Sequence, residues 1–291
     1  MAFNLQISFM NYIRKINSKH GIFNFCNSDL IIGRSLKEYG EYSEIEFSAM
    51  NKFIKDGDII LEIGANIGSF TIPYSKKVGK KGKVFAFEPQ KFIFNLLKEN
   101  IECNGLKNVQ IFNNAIGSNN TILELNDFDY SQSGNFGGIG LKEDYDNSYC
   151  AKIKGTKKNK IKTLTLNSFL NLKKCNFIKI DVELMELDVL RGGNRFITKF
   201  RPIMWLENQN DFPNKINDFL ISNEYESFWM ETWLFNHNNY FLNQTNWFGR
   251  TSTLNTLAIP KEISNKFLTI FFDKVLTPNC RPRKSYSNTF S

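Results

Sequence analysis

Residues Ile59 to Phe70 read IILEIGANIGSF, and the architecture follows from this run. It opens as a short apolar strand with one acid, Glu62, near its end, then turns through Gly64-Ala65-Asn66-Ile67-Gly68 and enters a helix. Gly64 and Gly68 let the backbone turn tightly and approach a ligand without a Cβ in the way. Asn66 is one of the few other residue types that accept left-handed geometry. The helix start beyond the turn presents free N–H groups and partial positive charge to an anionic ligand group. Alone, such a turn is equally an ordinary strand-to-helix connection.

Downstream the pattern repeats. Short apolar runs predict parallel strands at Asp58–Ile63, Lys83–Glu88, Val109–Asn113, Phe177–Asp181 and Ile203–Glu207, with helical stretches at Gln90–Asn104 and Leu184–Arg191. This alternation is the signature of an α/β chain with a mostly parallel sheet. The second strand ends in VFAFEPQ, about 20 residues past the glycine turn, where an acid can accept hydrogen bonds from both ribose hydroxyls of a nucleotide. That acid is Glu88, and Pro89 stops the strand behind it. The third strand runs into Asn114 and Ala115, where backbone or amide groups would meet an adenine edge. Together these features specify a nucleotide cofactor held by Glu62, Gly64, Ala65, Asn66, Gly68, Glu88, Pro89, Asn114 and Ala115. The turn lacks the G-x-G-x-x-G spacing of dinucleotide binders, which argues against an NAD-linked oxidoreductase.

The strand ends also carry charge. Asp181 and Glu207 close neighbouring strands at the edge where open α/β sheets bind ligands, and Glu183 lies just beyond. Lys179 shares a face with Asp181 on a central strand, where an unpaired ammonium would be costly, so the two are expected to pair. Asp181, Glu183, Lys179 and Glu207 form the expected catalytic set, with Asp181 also facing the cofactor. The plainer alternative is that Asp181 and Glu183 cap the next helix. Asp181, Glu207 and Asn208 would also suit an oxygen-ligated Mg²⁺, but a divalent metal is not predicted. Of the two histidines, His20 and His237, only His237 sits late enough to reach the site, and it reads as a surface or core residue.

With 291 residues, 42% of them hydrophobic, the chain can bury one large core with decorated ends. Residues 1–55 are expected to form a helical extension, since SEIEFSAMNKFI from Ser43 to Ile54 has a helical apolar rhythm. Residues 56–262 form the catalytic domain. Inside it, 126–160 turns polar, carries GNFGGIG from Gly134 to Gly140, and reads as a loop insertion over the acceptor pocket. A helix through Ser222, a strand near Tyr225–Met230, a long aromatic loop and a strand at Thr253–Ile259 complete the domain, and 263–291 reads as a basic tail. Tyr39, Glu41, Glu46, Asn135, Phe136 and Gly137 are candidates to close over a substrate. Trp229, Trp233, Tyr240 and Trp247 offer faces for stacking. Five irregularly spaced cysteines, no cleavable leader and no transmembrane run point to a reduced, soluble, cytoplasmic protein.

DGDIILEIGANIGSFTI, VFAFEPQ, NNAIGS, FIKIDVELMELDVLRGG and RPIMWLEN, in this order, resemble successive blocks of FkbM-family methyltransferases. GRSLKEYGEYSEIE before them and NTLAIPKE after them are similar to longer members. The resemblance spans Gly33 to Glu262. It implies a Rossmann-like class I methyltransferase fold: a mostly parallel seven-stranded sheet with an antiparallel last strand and helices on both faces. It further implies S-adenosyl-L-methionine as donor and a hydroxyl acceptor on a sugar, glycan or small metabolite. One departure is Leu184, which stands where the family block continues Asp-Val-Glu with glycine and so brings a bulky side chain to a place of open access. Two other readings remain. Ribose methylation of a nucleic acid is suggested by the net charge of +8, yet no Asn-Pro-Pro-Tyr-like or Pro-Cys motif accompanies it, and a nucleic-acid partner is not expected. The other is an idle binding protein that keeps the fold.

Overall fold

The computed structural model describes residues 11–142, 146–208, 214–267 and 274–280. The chain enters through a hairpin, β1 (Ile13–Ser18) and β2 (Gly21–Cys26), paired antiparallel. It continues into α1 (Ile32–Tyr39) and α2 (Glu44–Met50), with a 3-10 turn at Asn51–Phe53 ending the stretch expected as one helix to Ile54. The hairpin corrects the helical reading of residues 1–55. In GIFNFC, Phe23 and Phe25 are buried while Ile22 and Asn24 are half-buried, which is the two-residue period of a strand with one covered face.

From β3 (Ile59–Ile63) the expected alternation holds: α3 (Thr71–Val78), β4 (Lys83–Phe87), α4 (Lys91–Cys103) and β5 (Val109–Phe112). An inserted three-stranded sheet follows, made of β6 (Ala115–Ile116), β7 (Thr121–Phe128) and β8 (Ile153–Leu164). The core resumes with β9 (Phe177–Ile180), α5 (Glu186–Gly192), α6 (Asn194–Phe200) and β10 (Ile203–Glu207). It finishes with α7 (Lys215–Ser222), β11 (Tyr225–Trp233), β12 (Ser252–Pro260), α8 (Lys261–Ser264) and β13 (Lys274–Val275). The central sheet runs β5-β4-β3-β9-β10-β12-β11-β13. Its seven expected strands include one reversed strand, β12, antiparallel to both β10 and β11. The eighth, β13, pairs antiparallel with β11, so the segment after 262 is more than a tail. Residues 281–291 lie outside the described residues.

Covered faces explain why the strands are short and apolar. Leu61, Ile63, Ile178, Ile180 and Leu206 pack in one layer with Val189, Phe196 and Leu220. Ile60, Phe177, Trp205 and Leu257 pack in the opposite layer with Met50, Phe70 and Tyr74. A parallel sheet buried on both faces needs such unbroken apolar runs. The insertion obeys a different pattern and corrects the loop reading of 126–160. β7 and β8 pair from Thr121–Thr163 to Asn126–Lys158, with Ile161 and Thr163 buried and the flanking Lys160 and Lys162 exposed. A ribbon covered on one face needs an apolar residue only at every second position, so its polar composition concealed it. Among the described residues, no helix is long and apolar enough to cross a membrane.

Candidate active-site cavity

A cavity of about 310 Å³ opens at the carboxyl ends of β3, β4, β9 and β10, the edge where open α/β sheets take their ligands. One half of its wall is the glycine turn. Gly64, Ala65 and Asn66 line it, with φ 88° at Gly64 and 49° at Asn66. A Cβ on Gly64 would overlap the carbonyl oxygen of Asp181, so this position needs glycine for space as well as conformation. The amides of Gly64 and Ala65 both donate to the Phe87 carbonyl, at 3.0 and 2.9 Å, and fix the turn onto β4.

Glu88 lines the same half and is only 3% exposed. It accepts the backbone N–H of Asn66 at 3.0 Å and that of Gln90 at 2.8 Å. Burial pushes its pKa up to about 7, although both amides favour the carboxylate. Pro89, Asn114 and Ala115 also line the cavity, and the Asn114 amide group donates to the Lys162 carbonyl at 3.0 Å.

Two residues expected against the cofactor are not in the wall. Gly68 closes the turn by donating to the Ala65 carbonyl at 2.9 Å. Glu62 is fully buried one residue short of the strand end, where it accepts the Thr71 hydroxyl at 2.6 Å. Burial pushes its carboxyl up to about 8, and Glu62 ties α3 to β3 and lies outside the cavity wall.

The other half of the wall carries the charges. Lys179 is 2% exposed, with its Nζ 2.7 Å from Asp181 Oδ2 and 4.8 Å from the centre of the Phe70 ring. Burial alone would lower the ammonium's pKa, but Asp181, Glu46 and Glu62 outweigh it and hold the pKa above its ordinary value. Asp181, Glu183 and Glu207 each bring a carboxylate oxygen within 4.8 Å of the others. Asn208, read as a companion ligand for a metal, is absent from the cavity wall. It is turned to the opposite side from Glu207, donates to Asn217 and Thr256, and accepts from Asn214. Neither Asp181 nor Glu183 is the N-cap of α5; that residue is Met185, which makes no side-chain capping bond. Glu186, the first residue of the helix, accepts the Val182 N–H at 3.1 Å and ties the preceding turn to it.

Leu184 also departs from expectation. It is 46% exposed and absent from the wall, so it does not narrow the cavity. It carries φ 69° directly after Glu183 at 49°, and its effect falls on the backbone.

Residues the sequence did not single out complete the cavity. Tyr42, Phe70, Gln90 and Thr251–Thr253 line it, beside the expected Asn135 and Gly137. Burial pushes the Tyr42 phenol up, and Asp181, Glu46, Asp29 and Glu207 add to the shift, which makes it a hydrogen-bond donor. Its neighbours face elsewhere. The Tyr39 O–H donates to the Thr245 carbonyl, Glu41 accepts from Asn236 and from the Tyr240 N–H, and Glu46 accepts from Trp205. Phe136 is fully buried, Trp229 is core, and Tyr240 and Trp247 are about half exposed outside the wall. His237 is exposed against the edge of Phe235 and is likewise absent from the wall.

Comparisons with known proteins identify the family. A family model described as the methyltransferase FkbM domain matches residues 62–240. Methyltransferase 1 of Beauveria bassiana (strain ARSEF 2860) is 32% identical over 148 residues, which cover 47% of this chain and 59% of that protein. A probable ribosomal RNA small subunit methyltransferase A of Methanosphaera stadtmanae is 43% identical over 61 residues, 21% of either chain. A crystal structure of methyltransferase FkbM from Methylobacillus flagellatus KT superposes with a TM-score of 0.46 at 14% identity, covering 70% of this chain and 44% of that one. The chain therefore spans 59% or less of the length of these relatives. With the family model matching more than half of its 291 residues, the chain belongs to the FkbM methyltransferase family.

Proposed function

We propose that this chain is an S-adenosylmethionine-dependent O-methyltransferase acting on a hydroxyl of a sugar, glycan or small metabolite. The observation that carries the reading is one cavity with Glu88 and the glycine turn on one wall and the Lys179–Asp181 pair with Glu183 and Glu207 on the other. Glu88 fits the cofactor's ribose. Two amides occupy part of its acceptor capacity, and a carboxylate has about four lone-pair sites. When bound, the cofactor supplies an activated methyl group for in-line displacement. The protein's share is to align the acceptor oxygen and to take its proton as the bond forms.

Asp181 is the residue assigned to that proton, with Lys179 at 2.7 Å fixing the orientation of its carboxylate. Glu183 and Glu207 accept from neighbouring hydroxyls, and Tyr42 donates to an acceptor oxygen. Three acceptor-only groups in one wall suit a ligand rich in O–H donors, as a sugar is. The same carboxylates would hold a hard divalent cation, but the Lys179 ammonium already neutralises Asp181, so no step is assigned to a metal. The five free cysteines suit a reducing compartment, and the cytoplasm is the proposed location.

Calorimetric titration with S-adenosylhomocysteine tests the cofactor half. Glu88 must be ionised to accept both ribose hydroxyls, so affinity should rise with pH and level off above about 7. Below that it should fall roughly tenfold per pH unit. Glu88→Gln should bind weakly and lose the pH dependence. No saturable binding by the unaltered protein would overturn the reading. Methyl incorporation into hydroxylated acceptors, sugars first, tests the acceptor half.

A further inference from the structure

The β7–β8 ribbon has no part in the chemistry above, yet β8 carries exposed lysines at Lys154, Lys157, Lys158, Lys160 and Lys162. Lys158, Lys160 and Lys162 fall at alternate positions in the regular part of the β7–β8 pairing, so they share one face at spacings of roughly 7 Å. Lys154 and Lys157 lie in the irregular stretch between the Asn126–Lys158 and Phe128–Ile153 pairs. Across the register, Lys162 faces Ile122, Lys160 faces Glu124 and Lys158 faces Asn126. Glu124 is the only acid on that face of β7, and among the described residues the ribbon's only salt bridge is Lys158 to Glu124 at 3.9 Å. On the same face Ile122, opposite Lys162, stands out into solvent at 62% exposure.

We propose that this ribbon docks the protein on an anionic lipid bilayer. Lysines are strongly hydrated point charges on flexible stems, suited to a diffuse field of headgroups. The outer face of the paired strands carries no arginine fork for bidentate phosphate recognition and no aromatic ring on which a base could stack. Ile122 supplies what a purely electrostatic partner would not use, an apolar group able to enter the headgroup layer. The position of the ribbon gives docking a consequence. β8 begins its core contact where Thr163 pairs with Ala115, and Asn114 donates to the Lys162 carbonyl, so the lysine row extends from the rim of the cavity. Docking holds the cavity mouth close to the lipid surface.

Vesicle flotation with the full chain tests the proposal, comparing phosphatidylcholine vesicles with vesicles that also contain phosphatidylglycerol. Binding is expected only to the second kind and should weaken with salt. The triple substitution Lys158→Gln, Lys160→Gln, Lys162→Gln should lower partitioning on the order of a hundredfold, and the matching triple arginine variant should retain it. Ile122→Ser should lower it severalfold. Unchanged S-adenosylhomocysteine affinity in each variant reports an intact fold. Equal partitioning to both vesicle types, or no loss in the glutamine triple, overturns the proposal. So does binding to polyuridylate that is tighter than to the anionic vesicles and is lost in the same triple, which would assign the ribbon to RNA.

Discussion

Strands β3 and β9 pair in register from Ile60–Phe177 to Ile63–Ile180 and end in turns that build facing walls of one cavity. After β3 the left-handed backbone falls on Gly64, Asn66 and Gly68; after β9 it falls on Glu183 and Leu184. Glycine and asparagine adopt that geometry at little cost, whereas other residues lose about 1–2 kcal/mol each. The cofactor-side turn is therefore relaxed by its own sequence. The acid-side turn is held in place by its surroundings: the Asp181 N–H donates to the Ile63 carbonyl at 3.0 Å, and Val182 donates to Glu186. Strain that only tertiary contacts maintain is common where a chain must present reactive side chains. Here it aims Glu183 at Asp181 and Glu207.

The two turns touch at Gly64, so the largest effect is expected there. Gly64→Ala puts a Cβ onto the Asp181 carbonyl and forces alanine to φ 88°. Strain and overlap together should destabilise the fold by about 4 kcal/mol, read as a shift in the denaturant midpoint, and S-adenosylhomocysteine binding should go with it. If the variant is as stable as the parent, the turns are not interlocked and the comparison fails at its first point.

Asp181→Asn separates the walls by function. The amide keeps the shape and can still accept from Lys179, whose charge retains Glu46 and Glu62 nearby, so the fold should survive. Methyl transfer should fall by about 10²–10³-fold, with S-adenosylhomocysteine affinity within a few-fold of the parent. The sequence assigned Asp181 to both cofactor and catalysis, and this experiment decides between them. Loss of affinity in proportion to rate would move Asp181 to the cofactor wall.

The same contrast explains what could be read in advance. The glycine turn, Glu88 and the strand ends were legible because local chemistry dictates them: positive φ selects glycine, and a buried parallel strand selects an unbroken apolar run. Lys179 and Asp181 were legible as a pair because adjacent positions on one strand face leave a buried ammonium nowhere else to go. Tyr42 was not. The stretch around it drew attention through Tyr39, Glu41 and Glu46, but which of these face the cavity depends on how α1 and α2 lie against β10 and the aromatic loop. The Glu46–Trp205 and Tyr39–Thr245 contacts span more than 150 residues of sequence. The β7–β8 ribbon and the β1–β2 hairpin were hidden for a related reason, since their partners and covered faces come from the tertiary structure.

Leu184→Gly should give the smallest effect and the clearest account of the strained wall. Glycine relieves about 1–2 kcal/mol of left-handed strain, and its added freedom in the unfolded chain takes back about 0.4–1 kcal/mol. The net expectation is a stabilisation between zero and about 1.6 kcal/mol, measured by denaturant unfolding. Leu184→Ala keeps the Cβ and the strain, so it should bring no gain, and the difference between the two variants isolates the backbone. Neither should alter methyl transfer by more than a few-fold, because Leu184 is 46% exposed and lies outside the cavity wall. If glycine instead raised activity strongly at unchanged stability, the side chain would be obstructing the acceptor and the sequence-based expectation of a reshaped pocket would stand. If glycine lowered both stability and activity, the strained conformation would depend on leucine contacts, and the acid-side turn would be held by its own side chain rather than by the strands and α5.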